Sequence, residues 1–349
     1  MVHMTAIEET AERREKIGRV IDEAVGTLDA YDSERAREAC RIMEEGGETS
    51  RIVALPDRRM TFFGSTHTNN PDSQVVADLR SDLRDCLSNV PAKDVSLMIE
   101  GRHGGIDRDE AIRQMAGIET VEDAVRRYGE GGVALWVVAE YAKSGVKVEI
   151  SSPEIPEEKV AEKLRSEFAA DDIAAYLMLR QWTSEIGGRG RGEYSAVDFA
   201  KQALGYAELS GVEWIRGKKS DDEVRAILHD RAVLDEYVVV VGQQFLDGLN
   251  AKLGLAITLE QLRARQSDET MMKTINELSD PLDAAGRHSP INTISARWNA
   301  ERDRYLVEEI GKEMARGKKP YVIFGASHVT HCEPALQKLA PIADIAAAG

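Results

Sequence analysis

The sequence predicts an α/β fold, in which a mainly parallel or mixed central sheet is flanked by helices and carries a large all-helical insertion. Three observations support this prediction. Short apolar runs of β-type composition alternate with helix-patterned segments early in the chain and again near its end. These runs are apolar at successive positions, which is typical of strands buried on both faces. Between the two parts, residues 156–285 have helical patterning almost throughout.

The first part of the chain begins with helices and continues with strands. Apolar residues such as Ile17 and Leu28 recur at helical spacing within residues 5–46. The β-type runs Arg51–Leu55 and Met60–Phe63 flank Pro56-Asp57, which predicts a turn between two strands. The elements expected next are a helix Gln74–Leu87, a strand Val95–Ile99, helices near 107–116, 120–128 and 131–144, and a strand Val146–Ile150.

The remaining chain is helical until one last strand. The expected helices are Glu157–Phe168, Asp171–Ile186, Ala196–Leu209, Asp221–Leu228, Val233–Leu253 and Thr293–Ala315, with a loop at Gly187–Gly192. A strand Tyr321–Phe324 and a helix from about Glu333 follow. This pattern predicts four regions: N-terminal helices in 1–50, the first half of the α/β core in 51–154, a helical insertion serving as lid or dimerisation element in 155–288, and the second half of the core in 289–349.

Composition excludes several classes of protein. The chain has 349 residues with a formal net charge of −16, which argues against nucleic acid or an anionic membrane as partner. No apolar segment approaches the roughly 20 residues of a membrane helix, and the charged N-terminus does not resemble a signal peptide. Cys40, Cys86 and Cys332 lie far apart without a Cys-x-x-Cys pair, so a disulfide framework or a thiolate zinc site is not expected. We therefore expect a cytoplasmic protein.

Polar clusters follow four of the predicted strands. In open α/β sheets, ligands bind beyond the carboxyl ends of the strands, so clusters at the ends of parallel strands converge on one edge. Two clusters share the pattern Gly-x-x-His, in which we expect the glycine to let the chain turn sharply and the histidine to project over the sheet edge. The clusters are His67, Glu100 with His103, Glu154, and His328 with His331.

These residue types suit acid–base or metal chemistry. Histidine titrates near neutral pH, so it can act as a general base, a general acid or a metal ligand. Two histidines with a carboxylate can hold a divalent ion such as Mn, Co, Zn or Fe with an open position, and His67, Glu100 and His328 form such a set. Equally, a histidine can deprotonate water directly, with no cofactor at all.

The motifs carry a resemblance to a known superfamily. They are Phe63-Gly64-Ser65-Thr66-His67, a strand closed by Glu100, the run Glu301-Arg302-Asp303-Arg304, and Phe324-Gly325-Ala326-Ser327-His328. Together they resemble the superfamily of erythromycin esterases, Tiki-type proteases, TraB/PrgY proteins and ChaN-like proteins, over roughly residues 51–105 and 290–340. At the third strand several relatives have an Asp-Arg pair, whereas this chain has Ser151-Ser152-Pro153-Glu154, which leaves the subfamily and the substrate open.

The resemblance implies a site made of His67, Glu100, Arg302 and His328. It implies hydrolytic chemistry in the esterase and protease branches, metal-dependent in the Tiki branch, and haem or iron binding in the ChaN-like branch. His103, Glu154 and His331 are secondary candidates.

We therefore expect a hydrolase of ester or amide bonds. A histidine activates water, directly or through the ion, and Arg302 stabilises the negative charge that develops or holds Glu100 ionised. The alternative is a non-catalytic metal- or haem-binding protein. The expected partner is a small-molecule or peptide substrate, and a homodimer is a further option. Because the site combines histidines with an arginine, we expect a locally positive rim that accommodates an anionic group.

Overall fold

The computed structural model of the chain describes residues 2–28, 50–101, 105–186, 269–283 and 285–347, with a few positions between 246 and 258. Four predicted features lie outside the described residues: His103, the loop Gly187–Gly192, and the helices Ala196–Leu209 and Asp221–Leu228. Most of the predicted helix Val233–Leu253 also lies outside them.

The described strands form one mixed five-stranded sheet in the order β1-β2-β5-β3-β4. β1 is antiparallel to β2, and the other pairs are parallel. This arrangement, with helices around it, confirms the predicted α/β fold class. The strands are β1 (Ser50–Ala54), β2 (Thr61–Ser65), β3 (Val95–Ile99), β4 (Glu149–Ser151) and β5 (Lys319–Gly325).

The described helices precede, connect and follow these strands along the chain. Numbered among the described elements, they are α1 (Val2–Val25), α2 (Gln74–Asn89), α3 (Arg108–Gln114), α4 (Val121–Tyr128), α5 (Gly131–Lys143), α6 (Glu157–Arg165), α7 (Ala170–Ile186), α8 (Glu269–Ser279), α9 (Pro290–Ala315), α10 (Ala326–Lys338) and α11 (Pro341–Ala347). β4 starts later than predicted because the N–H of Val146 still bonds to the Tyr141 carbonyl at the end of α5. No described helix is both long and apolar enough to cross a membrane.

The chain divides into two compact units. The first unit comprises Met1–Ile155 and Ala300–Gly349, and it contains the sheet. The second comprises Pro156–Asn299, where α8 contacts α7 and the Arg180 guanidinium lies 4.8 Å from the centre of the Trp298 ring. The candidate site described below lies entirely within the first unit.

Both faces of the sheet are buried in the first unit. One face packs against α2 to α5 through residues such as Leu97 and Ile323, and the other packs against α1, α9 and α10 through Phe62 and Val322. Because both faces are covered, the strands carry continuous apolar runs, as the sequence pattern indicated.

The register of β5 aligns the carboxyl ends of the parallel strands. Ser65, the last residue of β2, lies opposite Gly325, the last residue of β5. Ile99, the last residue of β3, lies opposite Ile323. The polar residues that follow β2, β3 and β5 therefore leave the sheet at the same edge.

Helix α10 begins at Ala326, directly after β5, and not at about Glu333 as the sequence predicted. His328 and His331 consequently lie in its first two turns instead of in a loop. The helix starts so close to β2 that a Cβ on Gly64 would lie 2.6 Å from Val329 Cγ1 and 3.0 Å from Ala326 Cα. Gly64 has no positive φ, so its role is to allow this close contact rather than a sharp turn.

We expect Gly64→Ala to lower the free energy of unfolding by about 1–3 kcal/mol, because the added methyl group overpacks the contact between β2 and α10. Gly18→Ala is the matched control. Gly18 lies inside α1, and a Cβ added there would have nothing within 4 Å, so alanine should raise stability by about 0.5–1 kcal/mol. Urea unfolding of both variants measures the two changes, and a shift of the same sign in both would contradict the packing argument.

Candidate functional site

Glu100 lies at the centre of a cluster of polar side chains at the sheet edge. Its Oε2 accepts a hydrogen bond from the Gly325 N–H (2.7 Å), and its Oε1 accepts one from Arg302 Nη2 (2.9 Å). His67 Nε2 lies 3.5 Å from Oε2, and His328 Nε2 lies 3.8 Å from Oε1. The structure therefore brings together all four primary residues predicted from the sequence.

Gly325 lies next to three of the side chains of this cluster. A Cβ at this position would lie 3.4 Å from His328 Cδ2, 3.5 Å from Glu100 Oε2 and 3.5 Å from His67 Nε2. Its φ of −56° is open to any residue, so the expectation that it permits a sharp turn is wrong. A Cβ at these distances would make ordinary van der Waals contacts, so Gly325 is a site neighbour whose backbone N–H, rather than its missing side chain, contributes to the cluster.

Arg302 projects from α9 and is held by two carboxylates. Its Nε donates to Glu154 Oε2 (3.0 Å), and its Nη2 donates to both Glu154 Oε1 (2.7 Å) and Glu100 Oε1 (2.9 Å). Glu154 Oε1 also accepts the Gly101 N–H at 3.0 Å. Glu154, a secondary candidate in the sequence, thus belongs to the cluster through its paired contacts with the guanidinium.

The charges of Glu100, Glu154 and Arg302 determine one another's protonation states. Burial alone would raise the pKa of Glu100, but Arg302 and the two histidines lower it well below its usual range. Burial also opposes ionisation of Glu154, yet Arg302 lowers the pKa of this carboxyl too. Burial disfavours the Arg302 cation, and the two carboxylates more than compensate, so its pKa lies well above the ordinary value. The three groups therefore form an ionised, mutually dependent cluster.

His67 is oriented by a residue that the sequence analysis missed. Its Nδ1 donates to Glu130 Oε1 at 2.5 Å, and the other oxygen of Glu130 accepts the Thr68 N–H at 3.3 Å. A carboxylate only accepts hydrogen bonds, so Nδ1 carries the proton and Nε2 is directed toward Glu100. Glu130 is buried and immediately precedes α5, within the run Gly129-Glu130-Gly131. The sequence signal for Glu130 was a single acidic residue between two glycines at the start of a predicted helix.

His328 has the same arrangement with a second missed residue. Its Nδ1 donates to Oδ1 of Asp303, the neighbour of Arg302 on α9. Burial would lower the pKa of His328, but the Asp303 carboxylate raises it above the ordinary value. Burial alone would raise the pKa of Asp303, but the two histidines lower it to about 2. Asp303 follows Arg302 directly, so the quoted Arg-Asp run contained the signal.

Two further residues lie behind Asp303. His331 Nδ1 donates to the second oxygen, Oδ2, at 2.5 Å, and Cys332 Sγ lies within 4.8 Å of the ligand atoms of both residues. Burial and the nearby charge of Asp303 raise the pKa of the Cys332 thiol. His331, a secondary candidate, is therefore part of the cluster but acts on Asp303 rather than on Glu100.

The described residues also include a group that could hold a metal ion, although it differs from the predicted one. Ligand atoms of Asp303, His331 and Cys332 all lie within 4.8 Å of one another, and all three residues are buried. The expectation of a site without thiolate depended on the wide spacing of the cysteines along the chain. That spacing does not exclude one cysteine joining an aspartate and a histidine.

Access to the cluster differs between its two histidines. The side chain of His67 is 35% exposed, whereas that of His328 is 7% exposed. The Nε2 atoms of the two rings lie near different oxygens of Glu100, and the more exposed His67 is the histidine that an entering molecule reaches more easily. Comparisons with protein-family models, with curated proteins and with solved structures found no match for this chain.

Proposed function

We propose that the protein is a hydrolase of ester or amide bonds and that two histidine–carboxylate pairs carry its acid–base chemistry. The observation that carries the proposal is their symmetry. His67 is held by Glu130, His328 is held by Asp303, and both Nε2 atoms approach opposite oxygens of Glu100. A carboxylate on Nδ1 fixes the tautomer and the ring orientation that a general base requires.

In this proposal His67 is the general base. Its exposure makes it the histidine that water and substrate reach, and its Nε2 can take a proton while Nδ1 stays bonded to Glu130. Water held between His67 and Glu100 would lose a proton to Nε2 as its oxygen attacks the substrate carbonyl. Glu130 then stabilises the imidazolium that forms.

His328 is the general acid. Burial lowers its pKa and Asp303 raises it, with a net increase, so this ring holds a proton more readily than an ordinary histidine. The imidazolium can donate its Nε2 proton to the leaving group when the tetrahedral intermediate collapses. One neutral and one protonated histidine on either side of the reacting carbon satisfy both proton transfers.

Of the two roles expected for Arg302, its contacts favour holding Glu100 ionised. Glu154 and Glu100 already accept hydrogen bonds from its Nε and Nη2 atoms, so these two carboxylates compensate its positive charge. We assign it a positioning role, which keeps Glu100 ionised and fixed.

The contacts of Glu100 favour direct proton transfer over an ion held by His67, Glu100 and His328. Both oxygens of Glu100 accept hydrogen bonds, and Arg302 Nη1 lies 3.5 Å from His328 Nε2. A Mn, Co, Zn or Fe ion on these ligands would have to displace the hydrogen bonds that Arg302 and Gly325 donate to Glu100, which disfavours its binding although the cluster is acidic as a whole. The metal-binding alternative is instead favoured by the separate group at Asp303.

The experiment that tests the proposal is hydrolysis of a panel of chromogenic esters and fluorogenic peptides. We expect His67→Asn to lower kcat/KM on the order of 10²- to 10⁴-fold, because the base is lost while the fold is kept. His288→Asn is the matched control, since His288 is strongly exposed and asparagine tolerates its φ of 49°. We expect wild-type rates for this control.

Two results would contradict the hydrolase proposal. The first is a His67→Asn variant that unfolds like the wild type and hydrolyses the panel at wild-type rates. The second is a wild-type protein that accelerates none of the esters or amides above the rate in buffer.

A further inference from the structure

We propose that Asp303, His331 and Cys332 bind a thiophilic divalent cation of the Zn²⁺ class, at a site distinct from the His67–Glu100–His328 edge. The three ligand atoms come from two packed helices, α9 and α10, and lie within 4.8 Å of one another. His331 and Cys332 are consecutive, so the start of α10 at Ala326 places both side chains against α9 at the level of Asp303.

The donor set determines the class of ion. A sulfur, an imidazole nitrogen and a carboxylate oxygen form the mixed set that Zn²⁺ and Co²⁺ accept, whereas Mg²⁺ and Ca²⁺ prefer oxygen ligands alone. The Cys332 thiolate and the Asp303 carboxylate together carry two negative charges. These balance one divalent cation, so the occupied site would be electrically neutral although all three residues are fully buried.

The ion would replace a hydrogen bond that already holds two of the ligands, His331 and Asp303, together. His331 Nδ1 donates to Asp303 and Cys332 Sγ lies within 4.8 Å of both, and a cation would take the place of the His331 Nδ1 proton and the thiol proton. Two ligands about 2.0 Å from a tetrahedral ion lie about 3.3 Å apart. The His331 Nδ1 to Asp303 Oδ2 distance would therefore open from 2.5 Å by less than 1 Å.

The site would also support the neighbouring histidine. Asp303 uses Oδ1 for His328 and Oδ2 for His331, so an ion on the second oxygen leaves the first in contact with His328 Nδ1. Ligands bound to a metal on one side and to a histidine on the other hold that histidine firmly. The ion would thus act as a structural anchor and not as the reacting centre.

Titration of the full-length, chelator-treated and reduced protein with Co²⁺ tests the inference without any enzyme assay. We expect one equivalent to bind with an intense thiolate-to-cobalt charge-transfer absorption, and Zn²⁺ to abolish that absorption by displacing Co²⁺. Cys332→Ser should remove the sulfur absorption, and His331→Gln should weaken Co²⁺ binding about tenfold or more. Cys86→Ser is the matched control, because Cys86 is also buried but lies on α2, and it should behave as the wild type.

The wild-type spectrum alone can overturn the inference, even if a variant fails to fold. Absence of a sulfur absorption under saturating Co²⁺ contradicts it, as does an absorption that persists in Cys332→Ser or disappears in Cys86→Ser. Co²⁺ binding that is lost in His67→Asn and kept in Cys332→Ser would place the ion at the sheet edge, which also contradicts it. Hydrolase activity plays no part in these readings.

Discussion

Replacing Arg302 with leucine should lower the free energy of unfolding by about 3–5 kcal/mol at pH 7. The substitution leaves Glu100 and Glu154 buried and close together without the guanidinium that bonds to both. Removing one partner of a buried ion pair is strongly destabilising, because the remaining charges stay out of water without their counter-ion. Here the loss applies to two carboxylates at once.

The deficit of Arg302→Leu should shrink as the pH falls. In the wild type the pKa values of Glu100 and Glu154 are lowered, so their contribution to stability is present above the unfolded-state pKa of about 4.3 and is lost as the pH falls through the lower folded-state values. In the variant burial acts without the guanidinium and raises both pKa values. Those carboxyls gain protons as the pH falls, which removes their repulsion and stabilises the variant.

Urea midpoints of the wild type and Arg302→Leu at pH 7 and pH 4 measure both effects. Arg113→Leu is the control, because Arg113 forms an exposed pair with Glu110 and its loss should change little. Equal losses in the two variants, or a deficit of Arg302→Leu that does not depend on pH, would contradict the assignment of Arg302 as the buried counter-ion.

Asp303→Asn should lower kcat/KM on the order of 10³- to 10⁴-fold against any substrate that the wild type hydrolyses. The carboxylate accepts Nδ1–H from His328 on one oxygen and from His331 on the other. An amide keeps one acceptor and turns the second into an NH₂ donor, which faces another N–H. One imidazole must then rotate or change its tautomer, so His328 no longer holds its proton on the correct nitrogen.

The measurement is kcat/KM in buffer containing a chelator, so that metal occupancy does not vary between proteins. Asp123→Asn, an exposed substitution near the start of α4, is the control and should leave the rate unchanged. Urea unfolding of Asp303→Asn shows whether a lower rate comes from a folded protein with a misplaced His328 or from a protein that has unfolded. A folded Asp303→Asn variant with the wild-type rate would show that His328 does not depend on this carboxylate.

The sequence predicted the strands and the residues that directly follow them, because buried parallel strands have a clear apolar signature and their carboxyl ends must meet. It missed Glu130 and Asp303 as partners of the histidines for a different reason. Glu130 is 63 positions from His67, and Asp303 is 25 positions from His328. Such pairings depend on how helices α5 and α9 pack on the sheet, and no local spacing encodes that packing.

The start of α10 shows how a local rule can mislead. Pro334 suits the first turn of a helix, so a start near Glu333 was the natural expectation. In the structure the helix begins at Ala326, eight residues before Pro334, so the proline lies inside the helix. The contact of Ala326 and Val329 with Gly64 supplies packing that outweighs the missing proline N–H. Tertiary packing therefore decided this boundary.

The cluster at the sheet edge has a consequence for which molecules it admits. The cluster combines four carboxylates with one guanidinium, so its formal charge is 1 − 4 = −3 with all histidines neutral and −2 with His328 protonated, as in the proposed mechanism; the groups are Glu100, Glu130, Glu154, Asp303 and Arg302. Either sum is the opposite of the locally positive rim expected from the sequence. The edge should act as a charge filter, repelling a carboxylate or phosphate beside the scissile bond and favouring neutral or cationic molecules.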